Sequence, residues 1–434
     1  MTIIKNGLIV DPANNIEKIG DIYFDEKIIE CVTASGDETD EALKKKYQNA
    51  TIIDATGMLV TPGFIDVHSH FRDPGFEYKE DIHTGANAAA AGGYTTVVLM
   101  CNTNPTVDSP KTLWYVLEKG KEACIKVESC SCVSIGMKGE KLVNFDEMTG
   151  HGAVGFTDDG IPLMDEKLLR EAFKKAKGLP ISLHEEDKSF IKENGINHGK
   201  ASEHFGIYGS PREAEISLIE RDIRIALEEN AVLNVQHISS KEGVELVRNA
   251  KKVTGNKIHA EATPGHFSLT EQALIEKGTL AKLNPPFREE SDRLAIIEGL
   301  KDGTIDIIAT DHAPHAKEEK EKEITKAPSG IIGLETAYAL ANMHLVNEAG
   351  MKLSDVIAKF TINPARLYNF DRGTLSVGKA ADIAIFDPKE EWKVSTFKSK
   401  SSNSPFIGEI LKGKTKMTIC DGNVVYTDGT LNNK

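Results

Sequence analysis

The sequence predicts an α/β protein, a (β/α)8 TIM barrel with a small β-sandwich domain formed from both chain ends. Three observations support this fold class. The middle of the chain alternates strand-like and helix-like segments, both ends consist of short strand-like runs, and polar residues follow most of the middle strands. A chain of 434 residues is too long for one ordinary core, but such a barrel holds most of it. We expect residues 61–370 to form the barrel and residues 1–60 and 371–434 to form the β domain.

Helical patterns separate most of the middle strands. The run from Thr84 to Ala91 is rich in alanine and stops at Gly92-Gly93, a helix C-terminal signal. The run from Asp165 to Lys177 is amphipathic, and the run from Pro211 to Glu229 begins with Ser210 as a candidate cap. The eight candidate strands between the helices are Phe64–His68, Thr95–Met100, Lys126–Val133, Ala153–Thr157, Pro180–His184, Val232–His237, Lys257–Ala262 and Ile305–Thr310.

Both ends of the chain predict strands and turns. At the N-terminal end we expect strands over 2–10, 21–24 and 51–54. At the C-terminal end we expect a strand over 381–386 that Asp387-Pro388 closes. Two further strands, over 416–420 and 424–427, flank Asp421-Gly422, a hairpin signal. The similar texture of the two ends suggests that they meet in one domain.

Composition restricts the functional classes. The net charge is -14 without a basic tract, which argues against a nucleic-acid surface. No signal peptide is expected at the N-terminus, and no apolar run approaches the length of a membrane span. The six cysteines lack paired spacing, and Cys130-Ser131-Cys132 reads as packed thiols. We therefore expect a cytoplasmic protein that does not bind membranes or nucleic acids.

One stretch near the start of the barrel carries the first chemical signal. Alternate residues of a strand point to the same face, so His68 and His70 project together and can share one metal ion. Arg72 follows on the same alternation and could hold an anion beside that metal. Two histidines satisfied by core hydrogen bonds would be the ordinary explanation, and only the rest of the chain argues against it.

Further ligand types stand where other strands are expected to end, the catalytic face of such a barrel. Histidine and carboxylate ligands suit zinc, manganese or iron. Four histidines and two carboxylates are enough for two metals, whose bridge must be an anionic group such as Asp158 or Asp159. Alone, each group has an ordinary explanation as a turn, a helix start, a cap or a core histidine. Together they are better explained by a metal centre. The strand ends concerned carry His68 and His70, Asp158 and Asp159, His184, His237, and Asp311.

The motifs resemble those of the amidohydrolase superfamily of cyclic-amide hydrolases. The stretch from Gly63 to His70 resembles its first metal motif, and the stretch from Gly373 to Asp382 resembles its exit into the β domain. Within the superfamily the chain is most similar to class I bacterial dihydroorotases, through 70–75, 100–105, 156–160 and 311–315. Relatives that open allantoin, hydantoins or dihydropyrimidines carry a carboxylated lysine after strand four. This chain has no lysine between Gly150 and Asp165. Two departures are Glu185, where relatives often have cysteine, and Ser329, where an aromatic residue is common.

The resemblance implies reversible hydrolysis of the ring amide of dihydroorotate to carbamoyl aspartate at a site with one or two zinc ions, two being favoured. His68, His70 and Asp311 would hold one metal, and His184 and His237 the other, with Asp159 as the bridge. Asp311 would also transfer the proton. Arg72 could bind the substrate carboxylate bidentately. The substrate-binding residues implied are His70, Phe71, Arg72, Asn102, Asn284, His315, Ser329 and Gly330.

Two other functions stay open at this point. One is an allantoinase or hydantoinase, against which the missing lysine argues. The other is a catalytically silent scaffold for another pyrimidine-pathway enzyme, which would be expected to lack metal ligands. A homodimer and an association with aspartate carbamoyltransferase are also left open. The lysine- and glutamate-rich segment 317–326 is expected to be solvated and mobile, or else to form a loop over the site.

Overall fold

The protein is described by a computed structural model that covers residues 1–34, 41–254 and 257–432. Residues 35–40 of the predicted N-terminal β segment lie outside the described residues. The strands are β1 (Thr2–Asp11), β2 (Ile16–Asp25), β3 (Ile28–Ala34), β4 (Thr51–Asp54), β5 (Leu59–Pro62), β6 (Phe64–Ser69), β7 (Tyr94–Leu99), β8 (Lys126–Ser129), β9 (Phe156–Thr157), β10 (Ile181–Leu183), β11 (Leu233–Val235), β12 (Ile258–Ala262), β13 (Ile307–Ile308), β14 (Ile383–Lys393), β15 (Ile410–Cys420), β16 (Asn423–Thr427) and β17 (Thr430–Leu431).

Helices cover most of the connections between the middle strands. The α-helices are α1 (Glu41–Lys46), α2 (Ile82–Ala91), α3 (Pro110–Lys121), α4 (Phe145–Gly150), α5 (Glu166–Ala176), α6 (Lys200–Phe205), α7 (Arg212–Glu228), α8 (Lys241–Thr254), α9 (Pro264–Ser268), α10 (Gln272–Lys277), α11 (Glu290–Asp302), α12 (Lys317–Lys320), α13 (Ala337–Leu340), α14 (Leu353–Phe360) and α15 (Ile362–Leu367). A π-helical stretch, Ala341–Glu348, continues α13, and short 3-10 turns lie at Pro12–Asn14, Ile135–Met137 and Gly278–Ala281. Among the described residues, no helix combines the length and apolar character needed to cross a membrane.

Strands β6 to β13 form the predicted barrel. Within the described residues they pair in parallel as β6-β7-β8 and as β9-β10-β11-β12-β13. Single bridges between Ser131 and Phe156 and between Ser69 and His312 join the two groups on either side. All residues of β6 and β7 are buried, as expected for parallel strands covered on both faces. The fold class predicted from the sequence is therefore confirmed.

Six of the eight barrel strands are shorter than the sequence predicts, the exceptions being β6 and β7. β9 and β13 each contain only two residues in regular pairing, although their predicted segments have five and six. Strand-forming residues continue beyond the pairing, but the chain leaves the extended conformation at the carboxyl ends. There His237 and Asp311 have φ values of 33° and 47°. The polar residues of the catalytic face thus stand on irregular backbone just beyond the strands.

The two chain ends meet in one nine-stranded sheet. β5 from the N-terminal end pairs with β14 from the C-terminal end, and β1 pairs first with β4 and then with β5. Pairing is continuous through all nine strands, and an apolar core lies between residues of β1, β2, β5, β14 and β15. The predicted domain boundaries at 60 and 371 stay a prediction.

One of three local sequence predictions is confirmed, the turn at Asp421-Gly422. The predicted end of β14 and the predicted cap of α7 are wrong. Asp421 and Gly422 both have positive φ, 48° and 72°, as the predicted hairpin turn requires. β14 does not end at Asp387-Pro388 but continues to Lys393 through an irregularity in its pairing with β15. Ser210 does not cap α7, since Pro211 occupies the cap position and the Ser210 hydroxyl donates to Glu186 instead.

Candidate metal centre and active site

Six side chains that could ligate a metal converge at the carboxyl end of the barrel. His68 belongs to β6 and His70 follows it, while the other four stand directly after their strands. Each of the six is at most 9% exposed. The other four are Asp159 after β9, His184 after β10, His237 after β11 and Asp311 after β13.

The first half of the cluster combines His68, His70 and Asp311. Asp311 Oδ1 lies 3.4 Å from His68 Nε2 and 3.0 Å from His70 Nε2. The ligating atoms of all three residues lie within 4.8 Å of one another. This spacing allows one ion to contact all three.

The second half contains His184 and His237. His184 Nδ1 lies 3.0 Å from His237 Nε2, and each of these atoms is 3.6 Å from Asp159 Oδ1. The same carboxylate lies 3.5 Å from His68 Nε2 through Oδ1 and 3.4 Å from His70 Nε2 through Oδ2. Asp159 therefore stands between the two halves.

Asp158 faces a different environment from its neighbour. Its carboxylate accepts hydrogen bonds from the main-chain N–H groups of Val133 and Ser134, at 2.8 and 3.2 Å, and from the Ser134 hydroxyl. Burial raises the pKa of Asp158 to about 7. Cys101, whose thiol donates to the Thr157 carbonyl, lies beside it. The geometry thus separates the structural Asp158 from Asp159, which sequence reasoning alone had left as alternatives.

Oxygen atoms hold the outer nitrogens of three histidines. His68 Nδ1 is 3.1 Å from Glu261, His70 Nδ1 is 2.9 Å from Asn102, and His184 Nε2 is 3.1 Å from Glu186. Such contacts fix ring orientation and tautomer in metal sites, leaving the other nitrogen for the metal. Sequence reasoning missed Glu261. Its signal was a single carboxylate within the otherwise mostly apolar strand β12.

The donor set fits a divalent metal. His68 Nε2 is buried and has no hydrogen-bond partner among the described residues, although two carboxylates face it. Buried polar atoms are rarely left unpaired, and a ligating role accounts for this one. Four imidazoles, which ligate in their neutral form, and two carboxylates are donors suited to zinc and its neighbours in the first transition row.

Electrostatics favour the carboxylate forms of both aspartates. Burial opposes ionisation of Asp159, but the charge of His68 and hydrogen bonds from His184 and His237 hold its pKa well below the usual range. Burial also opposes ionisation of Asp311, and His68 and His70 outweigh it, so that its pKa is lowered. Both groups are therefore anionic and able to ligate.

A cavity of about 350 Å³ opens over the cluster. Besides five of the six candidate ligands, all but His68, it is lined by Arg72, Asn102, Asn284 and His315, four of the residues predicted to bind substrate. Arg72 is partly buried and donates from Nε to the Pro314 carbonyl, which leaves the rest of its guanidinium for an anion. Asn194, after β10, also lines the cavity and was not predicted.

Two of the predicted binding residues, Phe71 and Asn102, have contacts that the sequence did not indicate. The Phe71 side chain is 1% exposed, does not line the cavity and packs edge-on against His312, because it alternates with His70 and Arg72. Only main-chain contact with a substrate is left for it. Asn102 donates to Asp159 at 3.2 Å besides holding His70.

His315 and the turn Ser329-Gly330 form one wall of the cavity. His315 Nε2 donates to the Ser329 carbonyl at 2.9 Å. Burial and the charges of Arg72, Lys79 and Lys320 lower the pKa of His315 far below the usual range, so its ring is neutral. Gly330 has φ 139°, and a Cβ there would lie 2.9 Å from His315 Nε2, so this position requires glycine.

The segment 317–326 lies beside this wall. Lys317 and Glu318 are exposed, as predicted for a solvated stretch. Lys320 is only 3% exposed, however, and Glu319 forms an ion pair with Lys79 at 3.0 Å. The segment is therefore fastened to the barrel at these two residues.

Comparison with known proteins agrees with this arrangement. Residues 59–425 match the model of the amidohydrolase family. Curated relatives named dihydroorotase from Clostridioides difficile and Clostridium acetobutylicum are each 50% identical to the chain. They align over 98% and 99% of it and over their full length. The solved structure of an L-hydantoinase (dihydropyrimidinase) from Arthrobacter aurescens superimposes with a TM-score of 0.86 at 26% identity, covering 99% of this chain and 97% of that one. A dihydropyrimidinase from Brevibacillus agri shares the fold, with a TM-score of 0.84 at 23% identity over 99% and 96% of the two chains. The chain belongs to the amidohydrolase family and, within it, to the dihydroorotases.

Proposed function

We propose that the chain catalyses the reversible hydrolysis of (S)-dihydroorotate to N-carbamoyl-L-aspartate, the third step of de novo pyrimidine biosynthesis, at a site with two zinc ions. The observation that carries the proposal is the position of Asp159 between the two halves of the ligand cluster. An aspartate at this place, in a segment without lysine, is the feature that the resemblance associates with dihydroorotases.

His68, His70 and Asp311 would hold one ion, and His184 and His237 the other, with Asp159 shared. Zinc suits the imidazole and carboxylate donors. A divalent metal in this set lowers the pKa of a bound water and polarises a substrate carbonyl. The identity and number of the ions are part of the proposal.

Asp311 would act as the general base and general acid. Its carboxylate is ionised and its Oδ1 faces His68 and His70, where an attacking water would lie. It takes the proton as the water oxygen bonds to the ring carbonyl carbon. It returns the proton to the ring nitrogen as the C–N bond breaks. One water is added, and no oxidant or reductant is needed.

Residues that line the cavity would orient the substrate ring. Arg72 supplies a cation for the substrate carboxylate. Because the His315 ring is neutral, it contributes hydrogen bonding rather than charge. Asn284 and the main chain of Ser329-Gly330 face the ring amide, while Asn102 acts mainly through His70 and Asp159. The cytoplasmic location, a homodimer and an association with aspartate carbamoyltransferase stay predictions.

The test is ring opening of dihydroorotate by zinc-loaded protein. The reaction is measured as loss of the ring-amide absorbance and by mass detection of carbamoyl aspartate. We expect turnover by the wild type and a loss of about 10²–10⁴-fold in kcat for Asp311→Asn, the usual contribution of a general acid–base group. Metal content is measured on both proteins, because Asp311 is also a proposed ligand.

Allantoin and hydantoin serve as comparison substrates. Opening of these rings without dihydroorotate turnover would replace the proposal with the allantoinase or hydantoinase alternative. If the protein is fully loaded with metal and turns over no cyclic amide, alone or with aspartate carbamoyltransferase, the catalytically silent scaffold is the remaining explanation.

A further inference from the structure

Two buried lysines lie behind the cavity wall, where the mechanism gives them no role. Lys320 in α12 is 3% exposed and Lys282, just before Leu283-Asn284, is 2% exposed. Buried ammonium groups are normally paired with carboxylates. Among the described residues, no carboxylate lies within ion-pair distance of either lysine, and both donate to main-chain carbonyls instead.

Most of these carbonyls belong to the Ser329-Gly330 turn or to the residues that lead into it. Lys320 Nζ donates to the carbonyls of Pro328 and Gly330, both at 3.0 Å, and of Lys282 at 3.2 Å. Lys282 Nζ donates to the carbonyls of Ile324 and Ala327 at 2.7 and 2.9 Å. The three N–H groups of Lys320 are thus all used, and the acceptors lie on both sides of Ser329.

The same contacts connect two parts of the cavity. The Gly330 N–H donates to the Lys282 carbonyl at 2.9 Å, the carbonyl that also accepts from Lys320. Lys282 is two residues from Asn284, which lines the cavity on the neighbouring side. Lys320 therefore joins the Asn284 segment to the Ser329-Gly330 turn through one ammonium group. We call this connection between Lys320, Lys282 and Gly330 the clamp.

A second chain segment supports the turn from outside. Asn403 Nδ2 donates to the carbonyls of Gly330 and Ala313, both at 3.0 Å. The Gly330 carbonyl consequently accepts two hydrogen bonds, one of them charge-assisted, which is the stronger type. A carbonyl held from two directions has little freedom to move.

We propose that Lys320, assisted by Lys282, is a positioning residue that sets the distance between the Ser329-Gly330 turn and Asn284 and thereby the affinity for the substrate ring. This inference rests on the proposed function. Burial and the charge of Lys282 lower the pKa of Lys320 to about 7, with Glu319 acting in the opposite direction. Placing an ammonium group here is thus unfavourable, and the carbonyl contacts are what hold it.

The main test compares Lys320→Met with Lys322→Met. Methionine is unbranched and one atom shorter than lysine, so it fills most of the same space without donors, and Lys322 is an exposed lysine on the same segment. We expect the KM for dihydroorotate to rise about tenfold in Lys320→Met with kcat within about twofold, the signature of lost uniform binding. Lys322→Met should match the wild type. An unchanged KM, or a lower kcat at unchanged KM, would overturn the proposal.

Amine rescue separates positioning from general damage to the fold. Lys320 also lines a second cavity of about 450 Å³, whose other lining residues include the exposed Lys317 and Glu321. In Lys320→Ala, n-propylammonium should bring the KM back toward the wild-type value, while Lys322→Ala shows no response. A KM that stays high at saturating amine in a folded, metal-loaded Lys320→Ala protein contradicts the clamp.

Hydrogen exchange tests the clamp without activity. The Gly330 amide should exchange at least about tenfold faster in Lys320→Met than in the wild type and in Lys322→Met, because loss of the clamp increases local opening. Equal exchange overturns the inference. If the wild type fails to open dihydroorotate while exchange rises as expected, the proposed function fails and the clamp stands.

Discussion

Three residues at the cluster of candidate metal ligands have left-handed backbone conformations. Arg72, His237 and Asp311 have φ values of 62°, 33° and 47°, which side chains other than glycine seldom adopt. Each such residue costs about 1–3 kcal/mol and persists only where its surroundings hold it. Here the backbone turns from a strand into a loop within one residue, and the conformation aims a functional side chain into the cavity.

The two adjacent aspartates allow a matched test at the residue scale. Asp159→Asn should bind metal at least about 100-fold more weakly, because even residues that only contact ligands contribute 10–100-fold. Asp158→Asn should keep wild-type metal affinity and lose about 1–3 kcal/mol of unfolding free energy, since it disturbs buried hydrogen bonds. Chelator competition and chemical denaturation measure the two quantities. Similar loss of metal in both variants would contradict the assignment of the bridge.

At the scale of single elements, Asp306 fastens the amino end of the barrel. Its carboxylate lies 2.6 Å from His259 Nδ1 in β12 and 2.8 Å from Lys251 Nζ in α8, and it accepts from the Ala260 N–H. Burial opposes its ionisation, but His259 and Lys251 outweigh burial and hold the pKa of Asp306 well below the usual range. One carboxylate therefore connects a helix and two strands.

The lowered pKa of Asp306 predicts a pH dependence of stability. A depressed carboxyl pKa contributes stability above the unfolded value of about 4 and loses it as the pH falls further toward the folded value. Asp306→Asn should lower the free energy of unfolding by about 1.5–3 kcal/mol at pH 7, since it weakens charge-assisted hydrogen bonds of a partly buried carboxylate, and by less in acid. Denaturant titration at several pH values measures this. Asp146→Asn, which removes an exposed partner of Lys177, should change stability by less than about 1 kcal/mol.

At the scale of the whole molecule, an aromatic cluster joins the barrel to the nine-stranded sheet. Phe64 of β6 stacks on Phe360 at 4.5 Å between ring centroids and packs against Phe386 of β14 at 4.9 Å. Phe386 also stacks on Tyr338 at 4.0 Å. The rings are buried, so the barrel and the sheet share one apolar core here.

Truncation of the shared core should affect both parts together. Phe386→Ala should lower the free energy of unfolding by about 3–5 kcal/mol through lost burial and a cavity. Near-UV circular dichroism and metal release should still report a single transition. Val377→Ala, at a position 64% exposed, should stay within about 0.5 kcal/mol. Two separate transitions in Phe386→Ala, with the metal retained through the first, would show that the parts unfold independently.

Hydrophobic periodicity and motif position were sufficient to predict the eight barrel strands, the joining of the chain ends and the strand ends that carry ligands. Repeating strand and helix patterns leave few alternatives to a barrel, and its geometry brings the strand ends together. The Asp421-Gly422 turn was predictable because its chemistry is local. The cap of α7 was not, because Ser210 bonds to the distant Glu186.

The sequence by itself thus determined the fold class and the family of this protein and predicted a set of candidate metal ligands, because each is encoded by local patterns or contiguous motifs. Only the tertiary structure showed that the Asp159 carboxylate faces the histidines while Asp158 faces Val133 and Ser134. It also turned Phe71 away from the cavity and brought Glu261 to His68. It alone placed Lys320 under the Ser329-Gly330 turn. These features depend on which distant groups satisfy a buried charge or polar atom, and that pairing exists only when the chain is folded.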